Sequence, residues 1–342
     1  MNARPIREVG ENHIVSQFRS LALGTLSPDV LVGSGDDTAV LETREGHLLL
    51  LACDMMVEGI HFRREWATPR QIGWKAMAQN LSDIAAMGGL PSSAVVSLAA
   101  SGDLSEKDAM GVVEGLTDAA SQYGASVVGG DLVGSPGPLI IDVAVTGWVT
   151  REHLLCRRGA SPGDVILVTG ELGRAAAGLA IRQNSLEDDD AVTLEGALKA
   201  HHEPIPRLAE GQAIAATDRA TAMMDLSDGI ADDLPRLCAQ SGVGARVRRD
   251  ALPVAEACRV VASRLGIDAL QFAVSGGEDY ELMFTCPPVA VQEVTKAVKE
   301  STGTALTVIG EIISEQNVLL VDAGGREIPL GSGYDHFSGS DG

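Results

Sequence analysis

The sequence predicts an α+β fold, with helices packed on mixed sheets, and three observations carry that expectation. Short apolar runs alternate with segments of helical spacing along most of the chain. Several of the apolar runs lie close enough together to form hairpins. Hydrophobic residues make up 45% of the 342 residues and aromatics only 3%, so the core is Ala, Val, Leu and Ile packing. The length points to two domains or one large one.

The elements follow in order. Residues 11–23 carry Ile14, Phe18, Leu21 and Leu23 at helical spacing, which predicts a short helix. The turn Gly33-Ser34-Gly35-Asp36-Asp37 leads into a strand, Thr38-Ala39-Val40-Leu41. Gly46 then reverses the chain into Leu48-Leu49-Leu50-Leu51-Ala52-Cys53, a hairpin with an acidic group, Asp37 or Asp54, at each far end. Thr68-Pro69 starts a helix, an N-cap with Pro in the first turn, and Gly88-Gly89 ends it. Asn80 and Asp83, three apart, share a face of that helix. Residues 91–100 read as a strand, and Ser105 with Asp108 opens the next helix. Val127-Val128 is a strand expected to open into an acidic turn at Gly129-Gly130-Asp131, and residues 139–149 form a long strand.

A second unit is expected to begin near 150–163, where Arg157-Arg158-Gly159-Ala160-Ser161-Pro162-Gly163-Asp164 is a turn-rich connector. This gives domains 1–149 and 150–337 and a disordered tail at 338–342. In the second unit residues 165–169 are a strand, 170–183 a helix, and the acidic patch 187–190 a solvated loop. A strand ends at Asp225 and a helix follows from about Ser227, with Pro235 awkward inside it. Residues 255–265 and 289–301 are read as helices, and 280–286 and 306–313 as strands.

The net charge of −21 argues against a basic nucleic-acid-binding face and against anionic membranes. Five scattered cysteines without a CxxC form neither a zinc site nor a disulfide framework and fit a cytoplasmic protein. The N-terminus has no signal-peptide character, and no apolar run reaches the ~18 residues that span a bilayer.

Aspartates beside glycines recur along the chain: Asp36-Asp37, Gly129-Gly130-Asp131, Asp225-Leu226-Ser227-Asp228-Gly229 and Ser275-Gly276-Gly277-Glu278-Asp279. Collected in one cleft, such carboxylates repel unless divalent ions neutralise them, which points to chemistry on phosphates. Each motif also has a plain reading. Gly-Asp turns are common β-turns. Asp225 and Asp228 around Ser227 form either an ordinary N-cap or a helix terminus offering N–H groups to phosphate. His61, Arg157 and Arg158 alone read as surface residues or as phosphate contacts.

Taken together, Gly35-Asp36-Asp37-Thr38-Ala39, Asp54-x-x-Val57-x-Gly59-x-His61-Phe62, Lys75-Ala76-x-Ala78-x-Asn80-Leu81-Ser82-Asp83-x-Ala85-Ala86-Met87-Gly88, Gly129-Gly130-Asp131, Asp225-Leu226-Ser227-Asp228-Gly229, Ser275-Gly276-Gly277-Glu278-Asp279-Tyr280-Glu281-Leu282 and Gly333-Tyr334-Asp335-His336-Phe337 resemble the thiamine-monophosphate kinase family over nearly the whole chain. The resemblance implies the fold of the aminoimidazole-ribonucleotide-synthetase-like superfamily: an N-terminal α/β domain whose sheet pairs across a homodimer, and a C-terminal α/β domain. It implies ATP-dependent phosphorylation of thiamine monophosphate to thiamine diphosphate with several magnesium ions. By position, Asp37, Asp54, Asp83, Asp131, Asp225 and Asp228 correspond to magnesium ligands, with Asp36 adjacent. Gly130, Asp131, Arg157 and Ser227 correspond to ATP contacts, and His61 and Glu278, with Tyr334, to substrate contacts.

Two positions depart from the family pattern. Ala52-Cys53 stands where Ser-Thr is frequent, and a thiolate is a poor magnesium ligand, so either Cys53 offers its backbone carbonyl or one ion binds less well. Gly331 replaces an aromatic that covers the thiamine. The attacking group implied is the substrate's own ionised phosphate oxygen, so no acid–base residue is expected. The rivals are a selenophosphate or purine-pathway synthetase and a non-catalytic magnesium–nucleotide-binding protein. Selenophosphate synthetases carry a reactive Cys or selenocysteine and a Lys near the N-terminus, and residues 1–35 contain neither Cys nor Lys.

Overall fold

The computed structural model describes residues 30–32, 36–42, 46–186 and 191–330. The expected helix at 11–23, Gly33 to Gly35, the loop 187–190, Gly331, Tyr334, Phe337 and the tail 338–342 lie outside these residues.

The first sheet contains β1 (Val30–Val32), β2 (Ala39–Glu42), β3 (His47–Val57), β4 (Leu90–Ala100), β5 (Ser126–Gly134) and β6 (Ile140–Thr150), in the order β1-β2-β3-β6-β4-β5. Neighbours are antiparallel except β4 and β5. Alternation sets its faces: Leu48, Leu50, Ala52 and Met56 of β3 are buried, while Leu51, Cys53 and Met55 are exposed. Helices α1 (Pro69–Ala86) and α2 (Glu106–Gln122) pack tightly on each other, and α1 also packs on β3 and β6.

The start of α1 is a full capping box. Thr68 Oγ1 accepts from the Gln71 N–H, and Gln71 Oε1 accepts from the Thr68 N–H. Most of α1 is buried, including the polar Lys75, Asn80 and Ser82. A buried polar side chain needs a partner, and these three find theirs in the site described below.

Two expectations here are corrected. Strand β3 does not stop at Asp54 but runs on to Val57, paired with β6 along its length. Gly129-Gly130-Asp131 is not a turn but the middle of β5, with Gly130 opposite Val96 and Asp131 opposite Ser97. A Cβ on Gly130 would lie 1.9 Å from the Val96 carbonyl oxygen, so the glycine serves the close approach of β5 to β4.

The second sheet contains β7 (Val165–Thr169), β8 (Ala222–Asp225), β9 (Gly244–Arg248), β10 (Leu282–Cys286), β11 (Leu306–Ile313), β12 (Val318–Val321) and β13 (Glu327–Pro329), in the order β13-β12-β9-β11-β7-β10-β8. Its helices are α3 (Arg174–Gln183), α4 (Ala191–His202), α5 (Leu208–Ala215), α6 (Ile230–Ser241), α7 (Glu256–Leu265), α8 (Leu270–Ser275) and α9 (Val291–Thr302). Helix α3 starts later than expected from Gly170, because Gly173 sits at φ 84° just before it. Helix α6 starts at Ile230 rather than Ser227, after Gly229 at φ 92°, and runs through Pro235.

One hydrophobic core crosses from the first half to the second. Val143, Ile84 and Met77 belong to the same buried cluster as Leu208, Met223, Leu282, Phe284 and Val294. Helix α5 lies against α1 so closely that a Cβ on Gly211 would sit 2.2 Å from the Ala85 carbonyl oxygen. Trp74 Nε1 donates to the Pro204 carbonyl at 2.9 Å across the same boundary.

Candidate active site

The site lies where α1, the end of β8 and the turn before β2 meet. Among the described residues, Asp37, Asp83 and Asp225 each place a carboxylate oxygen so that all three lie within 4.8 Å of one another. Asp37 and Asp225 are buried and Asp83 is partly buried. All donors are carboxylate oxygens, the set that suits a hard divalent cation such as Mg2+.

The segment Asn80-Leu81-Ser82-Asp83 explains how α1 organises this group. Asn80 Oδ1 accepts the Asp54 N–H at 3.0 Å, while its Nδ2 donates back to the Ala76 carbonyl. Ser82 Oγ donates to Asp225 Oδ2 at 2.7 Å. One helical turn therefore holds Asp54 by its backbone, Asp225 by its carboxylate, and supplies Asp83 itself.

The charges are under-compensated. Burial, then Asp54, Asp225 and Asp37, push the Asp83 carboxyl well above the usual range. Burial and then Asp37 do the same to Asp225, against the Ser82 hydrogen bond. Asp54 is reached by solvent although protein surrounds much of it. Its carboxyl is raised by burial, then by Asp228, Asp142 and Asp37.

Arg157 is the cation that opposes these shifts at Asp54, Asp83 and Asp225 alike. Its Nη2 is 2.7 Å from Asp37 Oδ1 and its Nε 3.0 Å from Oδ2. Its backbone N–H donates to both oxygens of Asp36 at 3.1 Å. Asp36 is thus a brace for the Arg157 backbone and stands outside the three-carboxylate group. Burial and then Asp37 raise its carboxyl to about 6.

The loop after β8 departs from expectation. The Ser227 and Asp228 N–H groups are not open to a phosphate, because both donate to Asp233 Oδ2 at 3.0 Å. Asp228 itself pairs with Arg236 Nη1 at 2.5 Å, and the same nitrogen lies 3.2 Å from Asp233 Oδ1. Burial and then Asp228 raise the Asp233 carboxyl to about 8.

Asp131 is exposed on β5 and its Oδ1 accepts the Leu132 N–H. It is outside the three-carboxylate group, and Gly130 packs on Val96. The Cys53 thiol donates to Asp142 at 3.2 Å, and burial, then Asp142, push it up to about 11, so it stays protonated. The structure therefore keeps the thiol from acting as a thiolate ligand.

His61 Nδ1 accepts the Val57 N–H at 3.0 Å, and its carbonyl accepts from Lys75 Nζ at 3.2 Å. Glu278 is held by Lys75 Nζ at 2.6 Å, with His201 Nδ1 at 3.2 Å. Burial alone would raise this carboxyl, but Lys75 and then His201 outweigh it and hold it down to about 2. Glu278 and Tyr280 both have positive φ, 68° and 50°, a strained backbone for non-glycine residues. Asp279 accepts from the Gly173 and Ala175 N–H groups at the start of α3.

Sequence reading gave Lys75, the first residue of the Asn80 motif, no role, and missed His201, Asp233 and Arg236. Lys75 was visible five residues before Asn80, and Asp233 and Arg236 are three apart on α6, but nothing local distinguishes them from solvated charges.

Comparison with known proteins gives a consistent placement. Residues 35–149 match the family described as AIR synthase related protein, N-terminal domain, and residues 161–322 match AIR synthase related protein, C-terminal domain. The thiamine-monophosphate kinase of Escherichia coli (strain K12) is 38% identical over 312 residues, covering 91% of this chain and 93% of that protein. The solved complex of AaThiL with AMPPCP and TMP superposes with a TM-score of 0.84 at 30% identity, covering 98% of this chain and 100% of the other. The thiamine-monophosphate kinase of Stenotrophomonas maltophilia K279a gives a TM-score of 0.74 at 34% identity, over 90% and 95% of the two chains.

Proposed function

The chain belongs to the thiamine-monophosphate kinase family, and from that premise we propose how its own residues carry out the transfer of the ATP γ-phosphoryl group to thiamine monophosphate. The observation that carries the reading is the convergence of Asp37, Asp83 and Asp225 from both halves of the chain.

An oxygen of the substrate's phosphate, already ionised at neutral pH, forms a bond to the γ-phosphorus. The bond from that phosphorus to the β,γ-bridging oxygen breaks, and ADP leaves with thiamine diphosphate as the other product. No side chain has to remove a proton, so the task is positioning and charge compensation. Magnesium, when bound, would neutralise the phosphate charge that develops.

The chain's residues divide this work. Asp37, Asp83 and Asp225 are proposed as the central ligands, with Asp54 and Asp228 beside them, while Asp131 stands apart on the opposite face of the sheet from Asp54. Asn80 and Ser82 fix Asp54 and Asp225 in place. Arg157 is proposed as the phosphate contact among the cleft's side chains. Glu278, engaged with Lys75, acts by holding α1 to the loop before β10, and His61 lies at the same edge.

The open face of the first sheet supports a homodimer as part of this proposal. Leu51, Met55, Val95 and Val133 expose 42%, 50%, 48% and 49% of their surface there, more apolar area than a lone sheet tolerates easily. No helix among the described residues is long and apolar enough to cross a membrane. A cytoplasmic location and the boundary at 149/150 remain proposals from the sequence.

The decisive assay measures ADP release and thiamine diphosphate formation with thiamine monophosphate, alongside aminoimidazole-precursor and selenide controls. Turnover is expected with thiamine monophosphate alone. ADP release with a control substrate in its place would move the chain to a rival reaction, and no release with any would favour a binding protein.

A further inference from the structure

Arg157 engages both oxygens of Asp37 in a two-pronged contact, 2.7 Å from one and 3.0 Å from the other. The Asp37 side chain is sealed from solvent, and only 18% of the Arg157 side chain is exposed. The arginine's backbone is anchored separately, through its N–H to Asp36. The part of Arg157 able to turn away is therefore the guanidinium on its flexible stem.

Asp37 is also one of the three carboxylates that converge. A divalent ion taking Asp37 meets a guanidinium already lying across both its oxygens. Two cations at one carboxylate in a poorly solvated cleft repel each other strongly. The ion and the guanidinium are thus rivals for Asp37 rather than neighbours. Arg157 already offsets the charge of Asp37, as an ion there would. Its planar fork is equally suited to a phosphate once released.

We propose that Arg157 is the resident counter-ion of the acidic cleft, displaced from Asp37 by a divalent cation, so that its guanidinium reaches the nucleotide phosphates only after the cleft is loaded. This rests on the kinase reading above and adds an order to it: cation at Asp37 first, arginine to phosphate second. The Asp36 contact keeps the Arg157 backbone in place through the exchange.

The test uses the full chain stripped with chelator, as wild type, Arg157→Gln and Arg157→Lys. Free Mn2+ is titrated by electron paramagnetic resonance without nucleotide, and thermal midpoints are taken in chelator and in Mn2+. Arg157→Gln is expected to bind Mn2+ roughly tenfold tighter than wild type, because a charge-assisted competitor is gone. Its midpoint in chelator falls, and added Mn2+ restores more of it than in wild type. Arg157→Lys falls between the two, since an ammonium makes no fork. Mn2+ binding equal to or weaker than wild type in folded Arg157→Gln overturns the proposal. Should that variant not fold in chelator, the same result in Arg157→Lys overturns it. ADP release by the wild type, assayed separately, judges the kinase reading, and its failure leaves the Mn2+ titration to be read on its own.

Discussion

Two groups of carboxylates lie enclosed in this chain, and they are treated in opposite ways. In the cleft, Asp54, Asp83 and Asp225 crowd together, and burial with mutual repulsion raises all three. Around the loop before β10, the two glutamates each have a cation: Glu278 has Lys75, and Glu281 has Arg207 in a bidentate pair at 2.6 and 2.7 Å. Glu278 is held down to about 2 as a result, by Lys75 and then His201 against its burial. Lys75 sits where its charge ties the two halves together, whereas in the cleft the carboxylates outnumber the arginine among them.

Replacing a cleft carboxylate should separate the two groups most sharply. Asp225→Asn keeps an acceptor for Ser82 and removes one charge from the crowd. Turnover should fall at least about a hundredfold, while the thermal midpoint in chelator stays level or rises. A variant that retains wild-type turnover at saturating magnesium removes Asp225 from the proposed machinery. Glu278→Gln should do the reverse on stability, leaving Lys75 buried without its counter-charge at a cost of about 3 kcal/mol. Urea unfolding measures this, and a loss within error would mean that Glu278 is not structural.

Acidity sharpens the contrast. Burial raises Asp279 to about 7, and burial with Asp228 raises Asp233 to about 8. The folded chain thus keeps protons that the unfolded chain gives up near pH ~4. Their contribution is complete below that value and is lost as pH climbs toward 7 to 8. The Glu278 contribution is complete above the unfolded pKa of about 4.3 and is lost as pH falls toward 2. In chelator, the thermal midpoint should therefore decline from about pH 5 to pH 8. A midpoint that climbs over that range contradicts the assignment. The smallest effect is expected at Cys53, whose protonated thiol only donates to Asp142. Cys53→Ser should change turnover by less than about twofold, and a larger loss would restore Cys53 as a participant.

The sequence was most legible where apolar period alone decides. The strands at β3, β4, β7, β10 and β11 stand where their runs predict, because buried strands need such runs wherever they pair. It was least legible where pairing overrides a turn signal, as at Gly129-Gly130-Asp131, where Gly130 serves contact with Val96. Short elements such as α5, α8, β12 and β13 gave no signal strong enough to read. In the site, the aspartates announced themselves beside glycines, and their meeting was expected only through the family resemblance. The pairing of Lys75 with Glu278 stayed hidden because an ion pair between distant segments leaves no local pattern. Asp233 and Arg236 share one helix, at a spacing that ordinary solvated pairs also show. The Ser227 N–H was misread because its acceptor is a residue inside the following helix.

The seam at Gly211 and Ala85 limits how such a chain can be rearranged. Helix α1 supplies Asp83 and the props for Asp54 and Asp225, and α5 presses directly on its back. A chimaera joining one half of this chain to the other half of a relative would pair an α1 with a foreign α5. Any side chain in place of Gly211 would shift that helix and the carboxylate it carries. The halves therefore behave as matched parts, and grafting should succeed only when α1 and α5 travel together.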